Sequence, residues 1–318
     1  MYDVHTHFIP AEVLRWIKDN KHLINASWEK RDQSNTDYLI INHKWPFALS
    51  EPFINWDLFD EKQRRFGITQ SLISPLPQLF LYDFDPEITK ELSAVYNQSL
   101  GHQIQNLSNH YFGLGTVPLN HPEQAAKELK AAMSLGLKGA IIGTGVAGQL
   151  LTEDAYIPFW EEANRLGAIL FIHPLLSDDP RMRKGNMSTL SGVLWEMTVC
   201  GTDIILSGLL DKYPNVKILL AHGGGFLPYQ VGRLNKGYEV WDNVSSKLQE
   251  PPLEYLKRFW FDSVLWNSDT VAYLIEIVGE KRVVPGSDFP FELSDWPPSH
   301  NGKQGWNALM QSKKYISV

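Results

Sequence analysis

The stretch Met1-Tyr2-Asp3-Val4-His5-Thr6-His7 reads as an apolar-flanked β-strand that ends in His-x-His. Side chains two apart on a strand share a face, so His5 and His7 can close on one ion. Three later strand-like runs end in a residue able to join them: Ala168-Ile169-Leu170-Phe171-Ile172-His173, Val216-Lys217-Ile218-Leu219-Leu220-Ala221-His222 and Arg282-Val283-Val284-Pro285-Gly286-Ser287-Asp288. Imidazole nitrogens and a carboxylate suit zinc, with manganese or iron as softer alternatives.

The runs between these strands give the fold class. From Trp56 the pattern repeats as helix 57–66, strand 69–74, helix 86–109, strand 111–117, helix 122–135, strand 138–142 and helix 153–166. It continues as strand 168–173, helix 191–213, strand 216–222, helix 225–236, strand 259–263, helix 269–279 and strand 282–287. With the first, eight strands alternate with helices, which predicts an α/β chain folded as a single (β/α)8 TIM barrel over residues 1–318. Residues 8–56 interrupt the pattern with a turn, Asp32-Gln33-Ser34-Asn35, and short strands at Tyr38-Leu39-Ile40-Ile41 and Phe47-Ala48-Leu49; they read as a small cap inserted after strand 1. No Gly-x-Gly-x-x-Gly run opens a helix after an early strand, so the dinucleotide fold lacks its signature. Catalytic groups of such barrels gather at the carboxyl ends of the strands, where His5, His7, His173, His222 and Asp288 all fall. His22, His43, His102, His110 and His300 have no such placement, and His121 reads as part of a helix start.

The chain of 318 residues is 43% hydrophobic and can bury a substantial core. Its 29 basic against 36 acidic residues give a net charge of −7, which argues against nucleic acid or an anionic membrane as partner. Cys200, the single cysteine, cannot form an internal disulfide and reads as a small core residue. The early first strand leaves no room for a signal peptide, so the expected location is the cytoplasm. The expectation is also that no apolar run approaches the roughly 20 residues needed to span a bilayer.

Several segments resemble the aminocarboxymuconate-semialdehyde decarboxylase branch of the amidohydrolase superfamily. They are Asp3–Pro10, Tyr111–Pro118, Phe171–Pro174, Arg181-Met182, Ala221–Gly225, Val231–Arg233 and Gly286–Phe291, in the family's order along almost the whole chain. The resemblance implies a metal-dependent barrel with His5, His7, His173 and Asp288 as ligands, and with His222 beside a metal-bound water as acid/base; His222 and Asp288 are the catalytic pair. Two-metal relatives bridge their ions with a modified lysine at the end of strand four. Here that strand, Gly139–Gly143, ends in glycine and threonine, and Lys138 lies at its start, roughly 15 Å away. One divalent ion is therefore expected: zinc, with manganese as the alternative.

The function implied is non-oxidative decarboxylation of an unsaturated or aromatic carboxylic acid, a small-molecule substrate. The alternative is a hydrolase or hydratase using the same site, and a third reading is a silent barrel with a binding role. Substrate-side residues depart from the family. Where the type enzyme has an arginine in the cap, this chain has none between Arg31 and Arg64; Phe47 stands about there, and Lys44 is the nearest cation. Arg233 matches the family's second arginine, which the resemblance implies is donated across a homodimer interface. Phe291 and Trp195 are candidates for an apolar wall against a flat substrate. Gly223-Gly224-Gly225 reads as a tight turn after His222. Only 30 residues follow Asp288, so the final barrel helix is open, with Trp306-Asn307-Ala308-Leu309 as the remnant of a longer tail.

Overall fold

A computed structural model describes residues 1–31, 36–107 and 109–311, so the expected turn Asp32–Asn35 lies outside the described residues. The chain runs β1 (Tyr2–His7), α1 (Ala11–Asp19), β2 (Ser27–Lys30), β3 (Asp37–Ile41), β4 (Lys44–Ala48), α2 (Trp56–Arg65), β5 (Gln70–Ser74), α3 (Pro86–Ile104), β6 (Tyr111–Gly113), α4 (Pro122–Ser134), β7 (Gly139–Ile142), β8 (Gly145–Val146) and β9 (Gln149–Leu150). It continues α5 (Ile157–Leu166), β10 (Ile169–Ile172), α6 (Val193–Leu206), α7 (Leu209–Lys212), β11 (Lys217–Leu220), α8 (Leu227–Val240), α9 (Asp242–Ser245), α10 (Pro252–Leu256), β12 (Trp260–Asp262), α11 (Ser268–Val278), β13 (Val283–Val284) and α12 (Lys303–Met310).

Two parallel sheets, β1-β5-β6 and β13-β12-β11-β10-β7, are joined at both seams. Gly115 N–H donates to Gly139 O at 2.9 Å and Gly115 O accepts from Ile141 N–H at 2.8 Å, which ties the end of β6 to β7. On the other seam Val4 N–H donates to Pro285 O (2.7 Å), Asp288 N–H to His5 O (2.8 Å) and His7 N–H to Phe289 O (2.9 Å). Eight parallel strands therefore close into a barrel, and helices cover its outside. That is why Ile169–Ile172 and Lys217–Leu220 are buried at every position: a strand covered on both faces has no solvent side to alternate with.

The cap between β1 and α2 is an antiparallel sheet β2-β3-β4 with α1 beside it. α1 was not expected from the sequence. Its Val13, Trp16 and Ile17, spaced three and four apart, pack with Leu39, Ile41, Phe47 and Phe53 in one apolar cluster.

The long helix expected at 191–213 is two helices, broken where Gly208 takes a left-handed backbone at φ +70°. A π-helical turn at Ser188–Gly192 precedes the first of them. By length and composition alone, Ser188–Leu206 would be enough to cross a membrane, with a mean hydropathy of 1.2 over 18 of its 19 residues. This corrects the expectation that no such run exists. In the fold it is an outer barrel helix with Met197, Cys200, Ile204 and Ile205 buried.

The final barrel helix is α12. It packs on β13 and on the start of β1, with Trp306 buried, stacked on Tyr2 at 5.2 Å between ring centroids and donating its indole N–H to Gln70 Oε1 at 2.9 Å. Gly305 allows the approach, because a Cβ there would lie 1.9 Å from Val283 O.

Candidate active site

His5 lies within a register shift of β1 between Asp3 and Thr6, and His7 closes the strand just after it, an irregularity of the kind that re-aims side chains at strand ends. His173 follows β10 on the face of Phe171, whose ring lies 4.8 Å from that of His5. Asp288 stands beyond β13 with a left-handed backbone, φ +63°. His222 arrives differently. β11 pairs with β10 so that Phe171 faces Leu219 and Ile172 faces Leu220. Alternation would therefore turn His222 away from the mouth together with Leu220. Its left-handed backbone, φ +52°, swings the ring back to 5.2 Å from His173 and 5.3 Å from His5 between centroids. Such a conformation costs a non-glycine residue about 1–3 kcal/mol, and the glycine turn that follows, Gly223 to Gly225, is left-handed throughout.

His5 Nε2 lies 3.1 Å from both His7 Nε2 and Asp288 Oδ1, and His7 Nε2 lies 3.2 Å from Asp288 Oδ1. With His173, the four donor atoms fall within 4.8 Å of one another. The second nitrogen of each ring fixes its tautomer. His5 Nδ1–H donates to Asp262 Oδ2 at 2.6 Å, His7 Nδ1–H to Pro75 O at 3.1 Å and His173 Nδ1–H to Pro174 O at 2.9 Å. Nδ1 being the donor in each, it is Nε2 that turns toward the carboxylate oxygen and toward any cation held there. Among the described residues, buried His173 Nε2 and Asp288 Oδ1 have no hydrogen-bond partner. Converging acceptors without a proton between them repel unless a cation sits among them, and three nitrogens with one oxygen are a zinc-type donor set.

The electrostatics agree. Burial lowers His7 and His173, the latter well below the ordinary imidazole value. Burial alone would lower His5 too, but Asp288 and Asp262 outweigh it and hold His5 up at about 10, the response of a cation site to a proton. Burial would raise Asp288, but the neighbouring His5, His7 and His222 together outweigh it and hold the carboxyl well below the usual carboxylate range. Burial lowers His222 below the ordinary imidazole value, which favours its neutral ring.

Asp262, at the end of β12, is a site residue that the sequence reading missed. Besides His5 it accepts the backbone N–H groups of His222 and Gly223, each at 3.0 Å. The signal was a carboxylate at the carboxyl end of a barrel strand, the same rule that singled out Asp288.

Of the substrate-side candidates, Phe291 packs its ring edge-on to His7 at 5.3 Å and to Phe53 at 4.9 Å, and Phe53 meets Phe47 at 6.2 Å. The residue standing in place of a cap arginine thus belongs to an aromatic run that reaches the histidine cluster. Trp195 is exposed on α6, and Lys44 commits its ammonium to Asp83 at 2.9 Å. Arg233 is exposed on α8 with no hydrogen bond or ion pair among the described residues. At the end of β7, a Cβ on Gly143 would lie 3.1 Å from Tyr82 Cε2, so the Tyr82 ring covers the strand-four position.

Comparison with known proteins agrees with this arrangement. A family model described as Amidohydrolase matches residues 2–306. The 2-amino-3-carboxymuconate-6-semialdehyde decarboxylase of Dictyostelium discoideum is 28% identical over 302 residues, covering 93% of this chain and 83% of that protein. The gamma-resorcylate decarboxylase of Polaromonas sp. is 29% identical over 233 residues, 67% of this chain and 71% of that one. The crystal structure of 5-carboxyvanillate decarboxylase from Sphingomonas paucimobilis superposes with a TM-score of 0.78 at 20% identity, covering 91% of this chain and 88% of its own, and shares the fold.

Proposed function

We infer the reaction from one premise: the chain belongs to the amidohydrolase family, and within it acts as a metal-dependent decarboxylase that removes carbon dioxide, without oxidation, from an unsaturated or aromatic carboxylic acid. The observation that carries this is the convergence of the Nε2 atoms of His5, His7 and His173 on Asp288 Oδ1 beside a further imidazole, His222.

His5, His7, His173 and Asp288 would hold one divalent ion, zinc or, with the same donors, manganese; the Tyr82 ring over Gly143 supports a count of one. When bound, the ion supplies positive charge that polarises a substrate oxygen. His222 moves the proton. Its neutral ring takes one from water or a substrate hydroxyl and delivers it to the carbon that bears the carboxylate. The bond to the carboxylate then breaks, its electron pair restores the double bond, and carbon dioxide leaves.

Phe291 and Trp195 supply apolar contact for a flat substrate. For its carboxylate we propose Arg233 from a second copy of the chain, since Lys44 would first have to leave Asp83. The exposed Phe226, Tyr229, Val240 and Trp241 on and beside α8 support a homodimer, because monomers rarely gather so much apolar surface around one helix. The buried Cys200 suits a reducing cytoplasm.

The test is a panel of ortho-hydroxy and ortho-amino aromatic acids and muconates, offered to metal-loaded protein with carbon dioxide release measured. At least one should be decarboxylated. Hydrolysis of amides or esters with no carbon dioxide from any acid would replace this reading by the hydrolytic one.

A further inference from the structure

We propose that Trp266 is a positioning residue that selects planar, aromatic acids over saturated ones at this site. The inference deepens the decarboxylase reading and rests on it for the class of substrate. Trp266 lies four residues beyond Asp262, in the turn between β12 and α11. Its ring runs nearly parallel to that of His222, with 17° between the planes and 6.2 Å between centroids. The residue is nevertheless 51% exposed. Ring surface of this size beside the proton carrier is available to a ligand.

The ring is also held in place. Its indole N–H donates to Leu293 O at 2.7 Å, which fastens it to the loop that follows Asp288. The backbone at Trp266 is left-handed, φ +52°, an unfavourable state for a bulky side chain and one that tends to mark functional positions. The same loop carries Phe291 against His7. One loop therefore fixes an aromatic ring beside the His7 side of the cluster and another beside the His222 side. A flat π-system gains from such rings beyond the area it buries, whereas a puckered saturated ring gains only the area.

The experiment compares calorimetric binding of salicylate and of 2-hydroxycyclohexanecarboxylate to metal-loaded wild-type, Trp266→Ala and Trp266→Phe proteins, with metal content measured in each. Trp266→Ala should weaken salicylate by about tenfold more than the saturated acid, which loses only contact area, and Trp266→Phe should recover most of that difference. With any acid that turns over, KM should carry the change and kcat little of it. Equal weakening of both acids, no weakening of salicylate, or no salicylate binding by the wild type overturns the proposal. Binding does not depend on turnover: the binding difference without carbon dioxide from any acid would retain Trp266 and discard the decarboxylase.

Discussion

His5 donates its Nδ1–H to Asp262 Oδ2 across 2.6 Å, between the first barrel strand and the seventh, while the same carboxylate receives the backbone N–H of His222. One acid thus sets the tautomer of His5 and the seat of His222. Asp262→Asn should weaken metal affinity by about 10- to 100-fold, the usual cost of losing such a support, as read by competition with a chelator. Unchanged affinity would reduce the contact to packing.

The four-residue cage makes a second prediction. His173→Ala or Asp288→Ala should empty or badly weaken the site, since bond and geometry are lost together. Elemental analysis of purified protein checks this, and full occupancy in Asp288→Ala would strike Asp288 from the ligands.

His222→Asn should keep its metal and lower turnover by about 10²- to 10⁴-fold, the range for a placed acid or base. Asparagine suits the position because it accepts a left-handed backbone more readily than most residues. Normal turnover would refute the role, and loss of metal would make His222 a ligand instead.

Co-expression of His222→Asn with Arg233→Ala should restore activity above that of either parent, because mixed dimers contain one site with both residues intact. Parental activity from verified mixed dimers would put Arg233 outside the partner's site.

What the sequence disclosed follows from period. His5, His173 and Asp288 stand at the ends of recognisable strand runs, so barrel geometry alone carries them to one end. α1 was hidden because the cap was read at a period of two, while Val13, Trp16 and Ile17 repeat at three and four. His222 was placed at the mouth for an incomplete reason: strand alternation points it away, and a backbone torsion returns it. No local pattern announces the pairing of Lys44 with Asp83, 39 residues on, which only the folded cap brings together. Asp262 was missed by attention to histidines, since the rule that finds it was already in use.

The Tyr82 ring over Gly143 has a consequence for descent. A lysine at Gly143 would bring its Cβ to within 3.1 Å of that ring, and the ring would have to shift before the side chain could extend. A route from this chain toward a bridging lysine therefore runs through Tyr82 as well as Gly143.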